Sequence, residues 1–195
     1  MTTFDRVRAQ GSAETLRERR LLLSDLEIPT GRGWNPLRDR VHEALVKRPG
    51  SIGDVVATLR TVQSIFDELP PSPAKNRVSA FNALYLKITR RLEDSLVDAR
   101  QQEFLELLDI EFAKCYFHAL DRWNCDDEAT PDVWEVLFKR GTDLRMSRLL
   151  AAMLGVHAHI NHDLSLALIA TWNETGAPVD ERIHPDYLLV NEIFY

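Results

Sequence analysis

The segment from His157 to Asp163 concentrates titratable side chains in an otherwise apolar stretch; it reads His-Ala-His-Ile-Asn-His-Asp. If the segment is helical, His159 and Asp163 stand one turn apart on a single face. A carboxylate beside an imidazole fixes the ring tautomer and raises its basicity, as a general acid–base pair requires. We therefore expect His159 to be a general base or acid that Asp163 orients. His157 and Asn161 pair on the opposite face and are expected to contact the substrate.

The same spacing is compatible with a metal site, because residues four apart on a helix bring their side chains to one point. His162 lies at the edge of this face and would join His159 and Asp163 as a third ligand. A divalent metal therefore stays open as a cofactor. The sequence contains no Gly-rich phosphate loop, nucleophile elbow, Cys-x-x-Cys pair or dinucleotide fingerprint, so we expect no nucleotide cofactor.

A purely structural interpretation of the segment is also open. In that case Gly155 ends one helix, the following residues cross over, and Asn161 or Asp163 caps the next helix. Capping accounts for one polar residue but leaves three histidines unexplained. Because perturbed polar clusters tend to mark sites, an acid–base or binding pocket without metal is the third interpretation.

Polar residues also fall on the apolar face of the segment from 78 to 96. Asn82, Tyr85 and Thr89 lie on the same stripe as Phe81. Buried polar groups need partners, which either neighbouring backbone or a bound ligand supplies. Two interpretations follow, a set of core hydrogen bonds or a polar pocket in which these three residues bind substrate.

Asp109 is a misplaced charge in the next segment, from 101 to 124. It falls at the centre of a core face, where a carboxylate needs a cation, a metal or several hydrogen-bond donors. We expect Asp109 to join His159 as an orienting or metal-binding partner. Tyr116 lies on the same face and is expected to donate a hydrogen bond to the substrate.

The sequence as a whole predicts an all-α protein, because apolar residues recur at helical spacing and strand-like alternation is nearly absent. Its length favours a single-domain orthogonal or mixed helical bundle of about six to seven helices. Residues 1–36 are predicted to be a polar, extended N-terminal arm, since their end combines two Gly with two Pro. Residues 37–195 would form the helical domain. The predicted helices span 37–48, 51–68, 76–98, 101–124, 131–140, 143–172 and 185 to the end.

The composition excludes several classes of partner. Acidic residues outnumber basic ones, 30 to 24, and the formal net charge of −6 gives no general attraction for nucleic acid or anionic lipid. The sequence shows no apolar run of membrane-spanning length, no leader pattern and no disulfide framework, so we expect a cytoplasmic protein. The oligomeric state is not indicated.

Three stretches carry a resemblance to a known family. They are Phe-Asn-Ala-Leu-Tyr-Leu-Lys-Ile-Thr89, Leu-Asp-Ile-Glu-Phe-Ala113 with Tyr116-Phe117, and His-Ala-His-Ile-Asn-His-Asp-Leu164, of which the last is the most specific. The chain resembles the domain-of-unknown-function family 5995, found largely in actinobacteria. The resemblance implies an α-helical domain and no particular reaction. It makes four positions the matching site residues: Asp109, His159, Asn161 and Asp163.

These features favour a small-molecule enzyme, such as a hydrolase, lyase or cyclase, and the resemblance favours a natural-product pathway. The alternative from another class is a non-catalytic helical module that binds a ligand or a protein partner. A partner surface would use Trp134, Val133 and Phe138, although apolar residues on a short helix usually belong to the core.

Overall fold

The structure is a computed structural model that describes residues 38–68, 77–99, 101–125, 129–141, 143 and 145–176. Every regular element in these ranges is helical, which confirms the all-α prediction. Residues 1–36 and the helix predicted from 185 onward lie outside the described residues. The helices are α1 (Arg38–Val46), α2 (Ile52–Asp67), α3 (Val78–Ser95), α4 (Gln102–Asn124), α5 (Asp132–Lys139), α6 (Arg148–Ala158) and α7 (Leu164–Thr175).

Two short elements extend these helices. Leu96–Asp98 forms a 3-10 turn after α3, and His159–Asp163 forms a π-helical segment that joins α6 directly to α7. The chain is thus helical without interruption from Arg148 to Thr175. The purely structural alternative, in which a helix ends at Gly155, is therefore wrong, and Asp163 makes no capping hydrogen bond to α7.

The last long helix begins at Arg148, later than the predicted residue 143. The hydroxyl of Ser147 accepts the backbone N–H of Leu150 at 3.1 Å, and this capping bond fixes the first turn of α6. Upstream, the carboxylate of Asp143 accepts the backbone N–H of Arg145 at 3.0 Å. Since that carboxylate bonds to the backbone two residues later, the chain turns here before the helix starts.

Helix α3 lies between α2 and α6, whereas α4 packs against α1 and α7. Gly155 permits the close approach of α6 to α3, because a Cβ at this position would lie 2.3 Å from Cγ of Phe81. The main apolar core joins α1 to α6, and its largest fully buried side chains include Trp134, Tyr116, Phe66, Phe81 and Phe138.

The burial of α5 rules out the partner surface considered above. Trp134 and Phe138 are each 0% exposed and stack on one another with ring centroids 5.5 Å apart. Burying side chains of this size contributes about 1.5–3 kcal/mol each, which is why a short helix directs them inward.

Among the described helices, none is long and apolar enough to cross a membrane.

Candidate acid–base site

His159 and Asp163 form the pair that the sequence predicts. They occupy the first and last positions of the π-helical segment, and Nδ1 of His159 lies 2.8 Å from Oδ2 of Asp163. Their side chains are only 4% and 1% exposed. With a carboxylate as its partner, Nδ1 carries the ring proton and donates it, so Nε2 is the unprotonated nitrogen of the neutral ring. Single π-helical turns inside α-helices are frequent at functional sites.

The carboxylate of Asp163 accepts hydrogen bonds from three residues. Besides His159, Nε1 of Trp134 donates to Oδ2 at 3.1 Å, and Nδ1 of His162 lies 2.9 Å from Oδ1. Trp134 was missed as a site residue by the sequence reasoning. The signal available was general: the N–H of a buried indole usually finds an acceptor. Through Trp134, helix α5 holds Asp163 in place.

Aromatic rings enclose the imidazole of His159. Phe112 of α4 stacks on it with ring centroids 3.5 Å apart and planes 4° from parallel, and Tyr85 of α3 meets it edge-on at 4.6 Å. Burial lowers the pKa of His159 below its usual 6.5, and the neighbouring Asp163 only partly opposes this effect. The ring is therefore neutral at pH 7.

Four buried polar atoms on α3, α4 and the π-helical segment make no hydrogen bond of standard geometry in the described part of the chain, although the hydroxyl of Thr89 lies close enough to that of Tyr85 to oppose the rise of its pKa. They are Nε2 of His159, the hydroxyls of Tyr85 and Thr89, and Oδ2 of Asp109. Buried polar groups are rarely left unsatisfied, and each one costs roughly 1–3 kcal/mol. Nε2 of His159 is the one that belongs to the acid–base pair, and a water or a ligand would supply its missing partner.

A small cavity lies beside the imidazole. Its volume is about 20 Å³, enough for a single water molecule. Ile160, one of its walls, is 38% exposed, so the cavity lies close to the surface. A larger molecule can enter only if side chains of the wall move. The lining residues are Phe81, Tyr85, Ile88, Phe112, Val156, His159 and Ile160.

Asp109 does not orient His159, which corrects the expectation from the sequence. Among the described residues, no hydrogen bond or ion pair joins the two side chains. Burial, followed by the negative charges of Glu106 and Glu93, raises the pKa of Asp109 to about 8. Because the carboxyl has no cation beside it, it is neutral at pH 7 and carries an O–H donor.

Asn82 and Tyr116 use their polar groups within the core. The amide nitrogen of Asn82 donates to the backbone carbonyl of Leu59 at 3.0 Å, and the hydroxyl of Tyr116 donates to the amide oxygen at 3.3 Å. These bonds tie α2, α3 and α4 together. The alternative of core hydrogen bonds therefore describes Asn82 and Tyr116, whereas the hydroxyl of Tyr85 lies beside that of Thr89.

His157 and Asn161 lie on the opposite face, as the helical spacing predicts. Both are exposed, and the amide nitrogen of Asn161 donates to the backbone carbonyl of His157 at 3.0 Å. Neither side chain lines the cavity. Their expected contact with the substrate stays a prediction.

The metal hypothesis for His159, His162 and Asp163 also stays a prediction. Each of these described residues offers one ligand atom, but the three atoms do not all lie within 4.8 Å of one another. Instead, both imidazoles use Nδ1 to bond to the carboxylate.

One three-residue group in the described ranges meets that distance: His42, Asp121 and Cys125. Nδ1 of His42 lies 2.7 Å from the Asp121 carboxylate and 3.5 Å from the Cys125 sulfur. The group sits where α1 crosses the end of α4, and no local pattern predicts it, because 79 residues separate His42 from Asp121.

Sequence comparison places the chain in a family. The model of a family described as "Family of unknown function (DUF5995)" matches residues 52–195, which is most of the chain. The chain belongs to this family. The DUF5995 match contains every residue of the acid–base site and leaves out α1 with His42. Neither the curated proteins nor the solved structures contain a match to this chain.

Proposed function

We propose that the chain is an enzyme in which His159 acts as a general acid–base on a small, partly apolar molecule. One observation carries the proposal: Asp163 holds Nδ1 of His159, and Nε2 is buried without a partner. A neutral imidazole held in this way accepts a proton at Nε2, and the carboxylate stabilises the imidazolium that forms. A positioned acid–base group accelerates a reaction by about 10²–10⁴-fold.

The surroundings of His159 support a small substrate. Aromatic and aliphatic side chains line the cavity, as is usual in small-molecule sites, and His159 and Tyr85 are the lining residues that carry a polar group. Hydrolysis, elimination and cyclisation each need a proton moved at one atom, so all three fit the site. We further propose that the protein acts in the cytoplasm, in a natural-product pathway.

A comparison of variants tests the proposal. Wild-type protein is incubated with a library of small esters, ketones and polyketide-like compounds, and the consumption of each is followed by mass spectrometry. We expect one or more compounds to be consumed by wild type and spared by His159→Gln. His42→Gln is the matched control, since it removes an imidazole–carboxylate contact outside the site. Equal consumption by wild type and His159→Gln would refute the proposal.

A non-catalytic ligand-binding module is the second candidate, because a buried ring nitrogen without a partner can bind a ligand without moving a proton. A ligand that raises the melting temperature and is recovered unchanged supports this candidate. The stability of His159→Gln adds a second criterion. A variant more stable than wild type indicates that His159 is kept for function, whereas a strongly destabilised one indicates a structural role. Metal analysis of dialysed protein shows whether a divalent ion accompanies either activity.

A further inference from the structure

Three side chains that can bind a metal ion meet where α1 crosses the end of α4: His42, Asp121 and Cys125. Nδ1 of His42 lies 2.7 Å from Oδ1 of Asp121 and 3.5 Å from Sγ of Cys125. The same sulfur lies 3.8 Å from Oδ1 of Asp121. One imidazole nitrogen, one carboxylate oxygen and one thiol sulfur therefore converge on a common point. These are the three ligand types that proteins use to bind Zn²⁺.

Hydrogen bonds to the backbone position the three side chains. The backbone N–H of Cys125 donates to the carbonyl of Asp121 at 2.8 Å, so the last turn of α4 continues to Cys125 and the two side chains share a face. Between the helices, the amide nitrogen of Asn124 donates to the backbone carbonyl of Arg38 at 2.8 Å. Because His42 follows Arg38 by about one turn of α1, this bond helps to hold the imidazole against α4.

The separations of the three atoms fit a tetrahedral zinc site. Zn–N and Zn–O bonds of about 2.0–2.1 Å and a Zn–S bond of about 2.3 Å place tetrahedral ligand atoms roughly 3.3–3.6 Å apart. The two distances to sulfur, 3.5 and 3.8 Å, are close to this range. The distance from His42 to Asp121 is that of a hydrogen bond. A zinc ion would replace this bond once the two atoms separate by about 0.6 Å.

The contacts of the imidazole argue against a nucleophilic role for Cys125. In a Cys–His–Asp triad, the imidazole uses one ring nitrogen for the nucleophile and the other for the carboxylate. Here the thiol and the Asp121 carboxylate both contact Nδ1 of His42, so the ring does not connect them as a relay. A metal ion can replace both contacts. The thiol then releases its proton, the ring proton moves to Nε2, and Nδ1 gives its lone pair to the metal.

We propose that His42, Asp121 and Cys125 bind Zn²⁺ and that the ion ties α1 to α4. The thiolate favours Zn²⁺ over Mg²⁺ and Ca²⁺, which prefer oxygen ligands. All three side chains are partly exposed, so water can complete the coordination. Asp121 lies about 13 Å further along α4 than Phe112, which stacks on His159. The metal therefore takes no part in the acid–base step.

Zinc titration of the full chain, stripped of metal with a chelator, tests the site. We expect wild type to bind one equivalent of Zn²⁺ and to melt at a higher temperature with the metal than without it, because a ligand of the folded state stabilises that state. His42→Gln, Asp121→Asn and Cys125→Ser should each weaken Zn²⁺ binding by more than about tenfold, a loss that even removal of an outer partner of a ligand causes. Should one of these variants fail to fold, the other two decide.

Matched control variants on the same helix lie outside the group. Cys115→Ser removes the other thiol of the chain, and His118→Gln removes an exposed imidazole of α4. Both should bind Zn²⁺ as tightly as wild type. Equal Zn²⁺ affinity of wild type and His42→Gln would overturn the proposal. Binding that is lost in His162→Gln and kept in His42→Gln would assign the metal to the π-helical segment and overturn it as well.

Co²⁺ as a probe identifies the sulfur ligand directly. This ion occupies tetrahedral zinc sites, and a bound thiolate gives it a charge-transfer absorption band in the near ultraviolet. We expect this band in wild type and in Cys115→Ser, and its loss in Cys125→Ser. A wild-type spectrum without the band, or a band that persists in Cys125→Ser, would overturn the assignment of Cys125 as a ligand.

Discussion

Two histidine–aspartate pairs in this molecule have nearly the same geometry and opposite surroundings. Nδ1 of His159 lies 2.8 Å from Asp163, and Nδ1 of His42 lies 2.7 Å from Asp121. The side chains of the first pair are 4% and 1% exposed, and those of the second are 48% and 28% exposed. A contact distance therefore does not identify a functional site.

Burial gives the first pair properties that the second lacks. Aromatic rings shield His159 from bulk water and leave Nε2 without a protein partner among the described residues, whereas bulk water can solvate His42. Exposed pairs contribute about 0–1 kcal/mol, because water and ions screen the charges. Within a buried site, the same contact fixes a tautomer and directs one nitrogen at the reacting atom. The difference between the pairs can be tested by making matched changes in both.

The largest expected effect is on catalysis. His159→Gln should lower kcat/KM by about 10²–10⁴-fold on a substrate found by the library experiment, and His42→Gln should leave it unchanged. Because burial lowers the pKa of His159, the active neutral form persists below pH 6.5, and the rate should fall only at lower pH. A pH–rate profile checks this. Equal losses in the two variants would remove the distinction between the pairs.

The next effect is on stability. Asp163→Asn places an amide N–H₂ against the N–H groups of Trp134 and the two histidines, so buried donors lose their acceptor. We expect a loss of roughly 2–4 kcal/mol in the free energy of unfolding. Asp121→Asn should cost less than about 0.5 kcal/mol. Urea denaturation at pH 7 measures both, and a mild Asp163→Asn would show that the carboxylate is not the anchor of the site.

The comparison extends to pH through two buried carboxyl groups. That of Asp163 accepts hydrogen bonds from three residues, and that of Asp109 accepts none in the described part of the chain. The pKa of Asp109 is raised from 3.8 to about 8, so the folded state binds a proton that the unfolded state releases. Its stabilising contribution is complete below pH 3.8 and is lost as the pH rises to 8. Between pH 5 and 7, wild type should lose about 1.4 kcal/mol per pH unit relative to Asp109→Asn. If the free energies of unfolding of wild type and Asp109→Asn change with pH in the same way, the Asp109 carboxyl is not neutral in the folded protein.

The smallest effect concerns the packing that closes the buried site. A Cβ at Gly155 would lie 2.3 Å from the ring of Phe81, so Gly155→Ala should destabilise the protein by about 1–3 kcal/mol. In Gly53→Ala, the new Cβ would lie 3.4 Å from Oε1 of Glu93, a flexible side chain that can move away. That variant should be neutral or stabilised by up to about 1 kcal/mol, because alanine favours helix. Thermal unfolding should show a lower melting temperature for Gly155→Ala and an unchanged or higher one for Gly53→Ala.

Local sequence patterns predicted much of the fold and the central pair. Apolar spacing located the described helices, and the i,i+4 relation alone placed His159 beside Asp163. The start of α6 was misplaced because the turn at Asp143 depends on side chain to backbone hydrogen bonds that periodicity does not contain.

Contacts between distant residues could not be predicted from periodicity. Trp134 reaches Asp163 across 29 residues of sequence, and His42 reaches Asp121 across 79. A core position for Asp109 was evident, but the lack of a partner for its carboxyl was not, because burial on a helix face does not specify which side chains of the neighbouring helices surround it. Helix packing decides these pairings, and it brings Tyr85 to the imidazole while leaving Asp109 without a hydrogen bond to His159 in the described part of the chain.

The π-helical segment amounts to one extra residue in an otherwise regular helix. Because each residue advances an α-helix by about 100°, this residue rotates α7 against α6 and lets each present its apolar side to a different neighbour, α4 and α3. A gene that lost one codon between His159 and Asp163 would still encode a continuous helix. The two side chains would then be three residues apart, and one of the two helices would meet its neighbour with the wrong side. The number of residues between His159 and Asp163 is therefore fixed, and homologous sequences must keep it if they keep the chemistry.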